Sequence, residues 1–309
     1  ILCNSYILND GLHTAWPRHS KASLRDRGRQ RQFSMAKQII DMKDNITRAS
    51  VKDQNMKVVI VRLDYSGVND LNEVIKLFDK KFPKAFKSKR AVENREINLN
   101  FREVDFQTIS DSLSIPINAI KRERFIRYEG INNCNCDVTL DMSQFYLCLT
   151  IKCNNNYDGI TEYIAPLKGA IKIFKDKIPY FSPKRLGIRK VRVESNQNIS
   201  YFSSIFEPFV FPKLMFNIGQ DSLMKSEYLD AITDISTGLR SNIKREISVT
   251  KDKNDSPMYR TTLDIDTYYH EDALEKGNIN NLLNFANEKE FILYKQCMTQ
   301  TYLSSISRH

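Results

Sequence analysis

From Lys57 onward the chain breaks into runs whose apolar positions recur every second residue or every third to fourth. Residues 57–65, KVVIVRLDY, are β-branched and predict a buried strand. After Gly67, residues Leu71, Val74, Ile75, Phe78 and Phe82 keep helical spacing, and Pro83 stops the helix. Residues 95–106 alternate Ile97, Leu99 and Phe101, then switch face to Val104 and Phe106, as a bulged strand does. Residues 124–130 predict another strand. The clearest unit is a hairpin over 136–152. Cys136, Val138, Leu140 and Met142 share one face of its first strand, and Phe145, Leu147, Leu149 and Ile151 one face of its second, which leaves Ser143 and Gln144 as the turn. The opposite face (Asp137, Thr139, Asp141, Tyr146, Thr150, Lys152) is polar, so the sheet should be covered on one side only.

A helix follows over 157–177, with Ile160, Ile164, Leu167, Ile171 and Phe174 as its stripe and Pro166 expected to kink or interrupt it. A strand over 182–195 and a short amphipathic segment closed by Pro208 come next. Strands near 212–218, 226–236, 240–250 and 258–268 precede a final helix over 278–304. This order predicts an α+β fold of two antiparallel sheets, each packed by one or two helices, with a long C-terminal helix. The expected division is an N-terminal α+β domain over 35–195 and a C-terminal sheet with its closing helix over 196–309. Residues 1–34 are arginine-rich and non-periodic and stop just before Met35. They read as a vector-derived or disordered leader, the alternative being a basic arm that contacts phosphates.

Composition narrows the function classes. The 309 residues are 41% hydrophobic and 27% charged, as in globular proteins. No apolar run reaches the length of a membrane span, so a cytoplasmic protein with no membrane partner is expected. The net charge of +10 includes +4 from the leader, leaving the rest at +6, too mild to name a partner. The six cysteines do not form a secreted framework. Cys134, Cys136, Cys148 and Cys153 cluster, but C-x-C and C-x4-C within strands lack the knuckle turns of a zinc site, so they read as buried thiols. No nucleophile elbow, phosphate-binding loop, dinucleotide fingerprint or zinc-protease motif occurs, and only His270 and His309 lie outside the leader. No cofactor is expected.

Two sets of side chains carry candidate chemistry. In a strand over 263–270, Asp264, Asp266, Tyr268 and His270 face one way; Asp264, Asp266 and His270 could ligate a divalent metal. The competing reading is a solvated strand face answered by cross-strand cations, with Lys244 and Arg245 as candidates. Basic residues gather in three segments: 76–90 (Lys80, Lys81, Lys84, Lys87, Lys89, Arg90), 121–127 (Arg122, Arg124, Arg127) and 184–192 (with Lys190 and Arg192). Cations interleaved with aromatics suit a single-stranded nucleic acid. The competing reading is a charged helix end and two basic strand faces.

The stretch PKRLGIRKVRVES (183–195), the later LDIDTYYH (263–270), the closing amphipathic helix and the opening VVIVRLDY…FDKKFP together resemble a sporadically distributed family of uncharacterised prokaryotic proteins. That family carries R-L-G-[IL]-R and L-D-[IV]-D strands, and the likeness spans Lys57 to about Ser305. Where the family continues R-Y-[IV]-N-R-I, this chain has Arg189-Lys190-Val191-Arg192-Val193, a partial departure. The family has no established catalytic residues to carry over. The resemblance implies a two-part α+β cytoplasmic protein, an accessory component of mobile or defence gene clusters. In this setting Gly187 allows close backbone approach, and Arg185 and Arg189 pair with acids such as Asp264 or Asp266. The leading expectation is therefore a non-enzymatic interaction protein that binds a protein partner or itself, within a bacterial defence or toxin-regulating system. The alternative is nucleic-acid binding through segments 76–90, 121–127 and 184–192.

Overall fold

The computed structural model describes residues 43, 45–51, 55–97, 120–131, 136–153, 157, 159–211, 224–251 and 256–307, with the backbone alone at 49, 94–97, 120–123, 224 and 250. Its strands are β1 (Met56–Tyr65), β2 (Phe86–Ile97), β3 (Ile120–Ile131), β4 (Asp137–Ser143), β5 (Tyr146–Lys152), β6 (Pro183–Asn196), β7 (Met224–Thr233), β8 (Arg240–Lys251) and β9 (Pro257–His270). Its helices are α1 (Asn72–Lys81), α2 (Ala165–Lys177), α3 (Ser200–Ile205), α4 (Glu271–Lys276), α5 (Ile279–Cys297) and α6 (Gln300–Ser305). None of the helices among the described residues is long and apolar enough to cross a membrane.

The α+β class holds, but the expected two sheets are one. All nine strands among the described residues join a single antiparallel sheet in the order β2-β3-β4-β5-β1-β6-β9-β8-β7. The join is β6, whose Ile188 lies opposite Val61 of β1 on one edge and Thr267 of β9 on the other. Side-chain alternation reveals which face of a strand is buried. It does not say which strand occupies each edge, and so the sequence could not show this continuity.

One face of the sheet is covered. Val59, Val61 and Leu63 of β1, Leu147, Leu149 and Ile151 of β5, and Leu186 and Ile188 of β6 are fully buried there. They pack with Val74 and Phe78 of α1 and with Leu167, Ala170 and Phe174 of α2. A second apolar cluster joins Ile243, Leu263 and Ile265 to Phe291 and Tyr294 of α5, with Phe202 and Ile205 of α3 and Leu303 of α6. The opposite face carries charged and polar residues.

Local chemistry sets the element ends. Pro166 falls in the first turn of α2 and starts the helix instead of kinking it, because its missing N–H would have no partner there. The hairpin turn is Gln144–Phe145, one residue later than expected, since Met142 pairs Leu147. The Ser143 hydroxyl accepts from the backbone N–H groups of Phe145 and Tyr146 at 2.9 and 3.0 Å. Phe145, expected on the buried face, is thereby left 58% exposed. The closing segment is two helices: Met298 is extended and bridges Phe206, and the Thr299 hydroxyl caps α6 by accepting from Tyr302 N–H at 3.2 Å. β2 begins at Phe86, ahead of the strand expected at 95–106. Residues 98–119, the strand expected at 212–218, Cys134 and the leader at 1–34 lie outside the described residues.

Candidate nucleic-acid interface

Helices α1 and α2 lie side by side on the covered face, brought close at Gly169. A side-chain carbon placed there would collide with the ring of Phe82, which follows α1. Each helix buries an apolar stripe and turns its lysines outward. In α1 these are Lys76, Lys80 and Lys81; in α2, Lys172, Lys175 and Lys177 are exposed and Lys168 half-buried. Lys84 and Lys87, in the turn and at the start of β2, are exposed as well. No carboxylate among the described residues pairs with Lys76, Lys80, Lys81, Lys172, Lys175 or Lys177.

Between the helices runs an open slot of about 370 Å³, with Leu77 and Ile173 in its floor and Lys80, Lys81, Lys177 and Asp176 around it. Segments 72–89 and 165–177 together hold ten lysines against three carboxylates, a net of +7. From Met35 to the end the chain is +6, so this end of the fold holds the whole cationic excess.

Most of the other expected basic residues are paired with acids or buried. Lys89 contacts Asp79 at 2.6 Å, and Arg90 contacts Glu129 at 2.7 Å. Arg124 is exposed and 4.0 Å from Glu93, while Arg127 forms a two-pronged pair with Asp141 at 2.7 and 2.8 Å. Arg122 lies in β3, outside the described side chains. Lys190 and Arg192 require correction as surface candidates. They point to the covered face beneath α5, where Lys190 is 0% and Arg192 3% exposed, both against the Glu290 carboxylate. A strand face flanked by apolar Leu186 and Ile188 leads them inward, so segment 184–192 presents neither cation to solvent.

On the open face, the Arg189 guanidinium donates to both oxygens of Asp264, the shortest contact being 2.6 Å, and Arg185 donates to Asp266 at 2.7 Å. Burial pushes the Asp266 carboxyl up, against the pull of Arg185 and Arg189. The cations therefore come from β6. Lys244 instead contacts Glu227 at 3.0 Å, and Arg245, on the covered face, contacts Asp230 at 2.5 Å. Arg185 also lies over the Tyr268 ring at 4.4 Å, and Tyr268 meets His270 edge to face at 5.2 Å. Gly187 sits under Tyr268, where an added carbon would fall 2.9 Å from the Tyr268 Cβ. His270 ends β9 beyond this ladder. Among the described residues no group of three or more His, Cys, Asp or Glu side chains could hold a metal.

The cysteines in the hairpin region are buried among packing neighbours. Tyr163 O–H donates to Cys136 Sγ at 3.5 Å, and burial pushes the Cys148 thiol up to about 11. Sequence reasoning missed the lysines of α2, although their signal was present. Lys168, Lys172 and Lys175 keep i, i+4, i+7 spacing opposite the stripe of Leu167, Ile171 and Phe174. No protein-family model matches the chain, and a search of the curated proteins finds no match.

Proposed function

We propose that the chain is a nucleic-acid-binding protein whose contact surface is the outward side of α1 and α2. The observation that carries this reading is the segregation of charge: six lysines on the two helices meet no carboxylate among the described residues, while the open sheet face is a mosaic of paired arginines and aspartates. A surface built of lysine on flexible stems suits a chain of phosphates, which it tracks without reading sequence. It does not suit a typical protein interface, where lysine is depleted and Tyr, Trp, Met and Arg are enriched. Segments 121–127 and 184–192 add little to this surface.

The test is fluorescence anisotropy with a labelled oligonucleotide and the full chain, at low and physiological salt. Affinity should fall steeply with salt. A triple reversal, Lys80→Glu, Lys172→Glu and Lys177→Glu, should weaken binding at least about tenfold, since it removes several phosphate contacts, with an unchanged thermal midpoint. Binding that ignores salt and these reversals would end this reading.

A second reading, the capture of a protein partner or a second copy, is favoured by β7. This strand ends the sheet among the described residues and exposes Leu229 (67%) and Ile232 (44%). An exposed edge with apolar side chains is a template for strand addition. Concentration-dependent association abolished by Leu229→Lys would support it.

A further inference from the structure

The segment after α2 turns back on itself at Ile178-Pro179-Tyr180-Phe181. The Phe181 N–H donates to the Ile178 carbonyl at 3.3 Å. Pro179 takes the second position, as proline does in such turns. Tyr180 takes the third with φ 59°, the left-handed region, where glycine or asparagine is the usual occupant. Among the described residues it is the sole non-glycine with positive φ.

Packing does not explain this tyrosine. Its side chain is 98% exposed and has no ring contact or hydrogen bond among the described residues. A bulky residue therefore occupies a backbone position that disfavours it and gains nothing from the fold in return. Such a break with local preference marks a position chosen for something outside the fold. The neighbouring cations indicate what that is: Tyr180 lies three residues beyond Lys177, which borders the slot, and five beyond Lys175.

We infer that Tyr180 is a stacking platform for an unpaired base, so that the ligand of the α1–α2 surface is a single strand and not a duplex. This rests on the proposed nucleic-acid reading and sharpens it. Lysines on α1 and α2 hold the phosphates, and the exposed ring takes the face of a base, which a duplex keeps stacked on its neighbours. Pro179 fixes the backbone that carries the ring, so little backbone freedom is lost when the base arrives.

The experiment compares a labelled 15-mer of oligo(dT), a duplex of the same length and poly-glutamate, against the wild-type chain and its variants. Tyr180→Ala should weaken single-strand binding about five- to a hundredfold, the range of one base–aromatic stack, and leave duplex binding unchanged. Tyr180→Trp should retain it. Tyr180→Gly should lose the same affinity while keeping or raising the thermal midpoint, because glycine accepts positive φ without strain. If Tyr180→Ala leaves single-strand binding intact while the lysine reversals abolish it, the stacking role is wrong and the phosphate-tracking surface stands. If Tyr180→Gly lowers the midpoint by many degrees, the ring serves the fold and the inference fails. If the lysine reversals are silent, or poly-glutamate binds as tightly whatever occupies position 180, both readings fail.

Discussion

The Lys190 ammonium lies 2.5 Å from the Glu290 carboxylate beneath α5, and both side chains are fully buried. Arg192 contacts the other oxygen of Glu290 at 2.7 Å. Lys190 also donates to Asn287 at 2.8 Å, and the Arg192 guanidinium lies 3.9 Å from the Tyr294 ring centre. Lys190 and Arg192, with Arg48 acting on the same carboxylate, thus outnumber the one anion, and the two directions of removal should be unequal. Glu290→Gln strands both cations in a buried site and should cost about 3–5 kcal/mol in urea unfolding. Lys190→Met removes the surplus cation and keeps the Arg192–Glu290 pair, so its cost should be about 1 kcal/mol or less. Equal losses, or the reverse order, would contradict this reading of the cluster.

The same cluster predicts two opposed pH dependences. Burial alone would raise Glu290, but Arg192, Lys190 and Arg48 hold its carboxyl down at about 2, against an ordinary 4.5. The folded carboxylate is therefore favoured: its contribution is present above pH 4.5 and is lost as pH falls towards 2, about 3 kcal/mol over that window. Lys190 goes the other way. Burial lowers its ammonium to about 8 from 10.5, with Glu290 opposing. Between those values the unfolded chain binds more protons, so stability should rise with pH across that window. Wild-type stability minus that of Glu290→Gln should shrink on acidification. Lys190→Met should lack the rise at alkaline pH.

The inward turn of Lys190 and Arg192 also shows where the sequence was legible. Alternation along the 182–195 strand puts both beside Ile188 on one face, and that is the face they share in the fold. What alternation lacked was the sign of the face, since Glu290, the residue that makes burial tolerable, lies about a hundred positions away on α5. The hairpin was read nearly in register because Val138, Leu140, Met142, Leu147, Leu149 and Ile151 alternate without a break. Its turn slipped by one residue because the Ser143 hydroxyl bonds to the backbone, an effect invisible to hydrophobic periodicity. The single sheet depends on which edges of β6 are filled, and pairing over such sequence distances leaves no local mark. For the candidate interface, the lysines of α1 were plain as a run. Those of α2 are spaced by helical turns among apolar residues, so no run of like charge marks them.

Gly169 and Phe82 fix the spacing of the basic helices. A methyl group at position 169 would overlap the Phe82 ring, which itself lies 4.9 Å, centre to centre, from Phe78 in the core. Gly169→Ala should therefore destabilise the protein by about 1–3 kcal/mol, the usual cost of overpacking. Adding Phe82→Leu should recover part of that loss by making room. Thermal unfolding of the single and double variants checks the coupling. Two simply additive losses would show that the ring and the glycine do not constrain one another.

On the open face, the arginines of β6 fill the positions that a metal would need. Asp264 has an 8% exposed side chain and gives both oxygens to Arg189, and Asp266 is engaged by Arg185. A divalent ion could bind only by displacing the Arg189 guanidinium, already bidentate on Asp264, and the Arg185 contact to Asp266. Millimolar magnesium or zinc should therefore leave the thermal midpoint of the wild-type chain unchanged, as should a chelator. Arg189→Ala, which leaves the mostly buried Asp264 without its main donor, should lower stability by about 1 kcal/mol. Asp264→Ala in the same background should add little further loss, because the two residues act as one pair. A midpoint raised by metal in the wild type and not in Asp264→Ala would overturn this reading and return Asp264, Asp266 and His270 to candidacy as ligands.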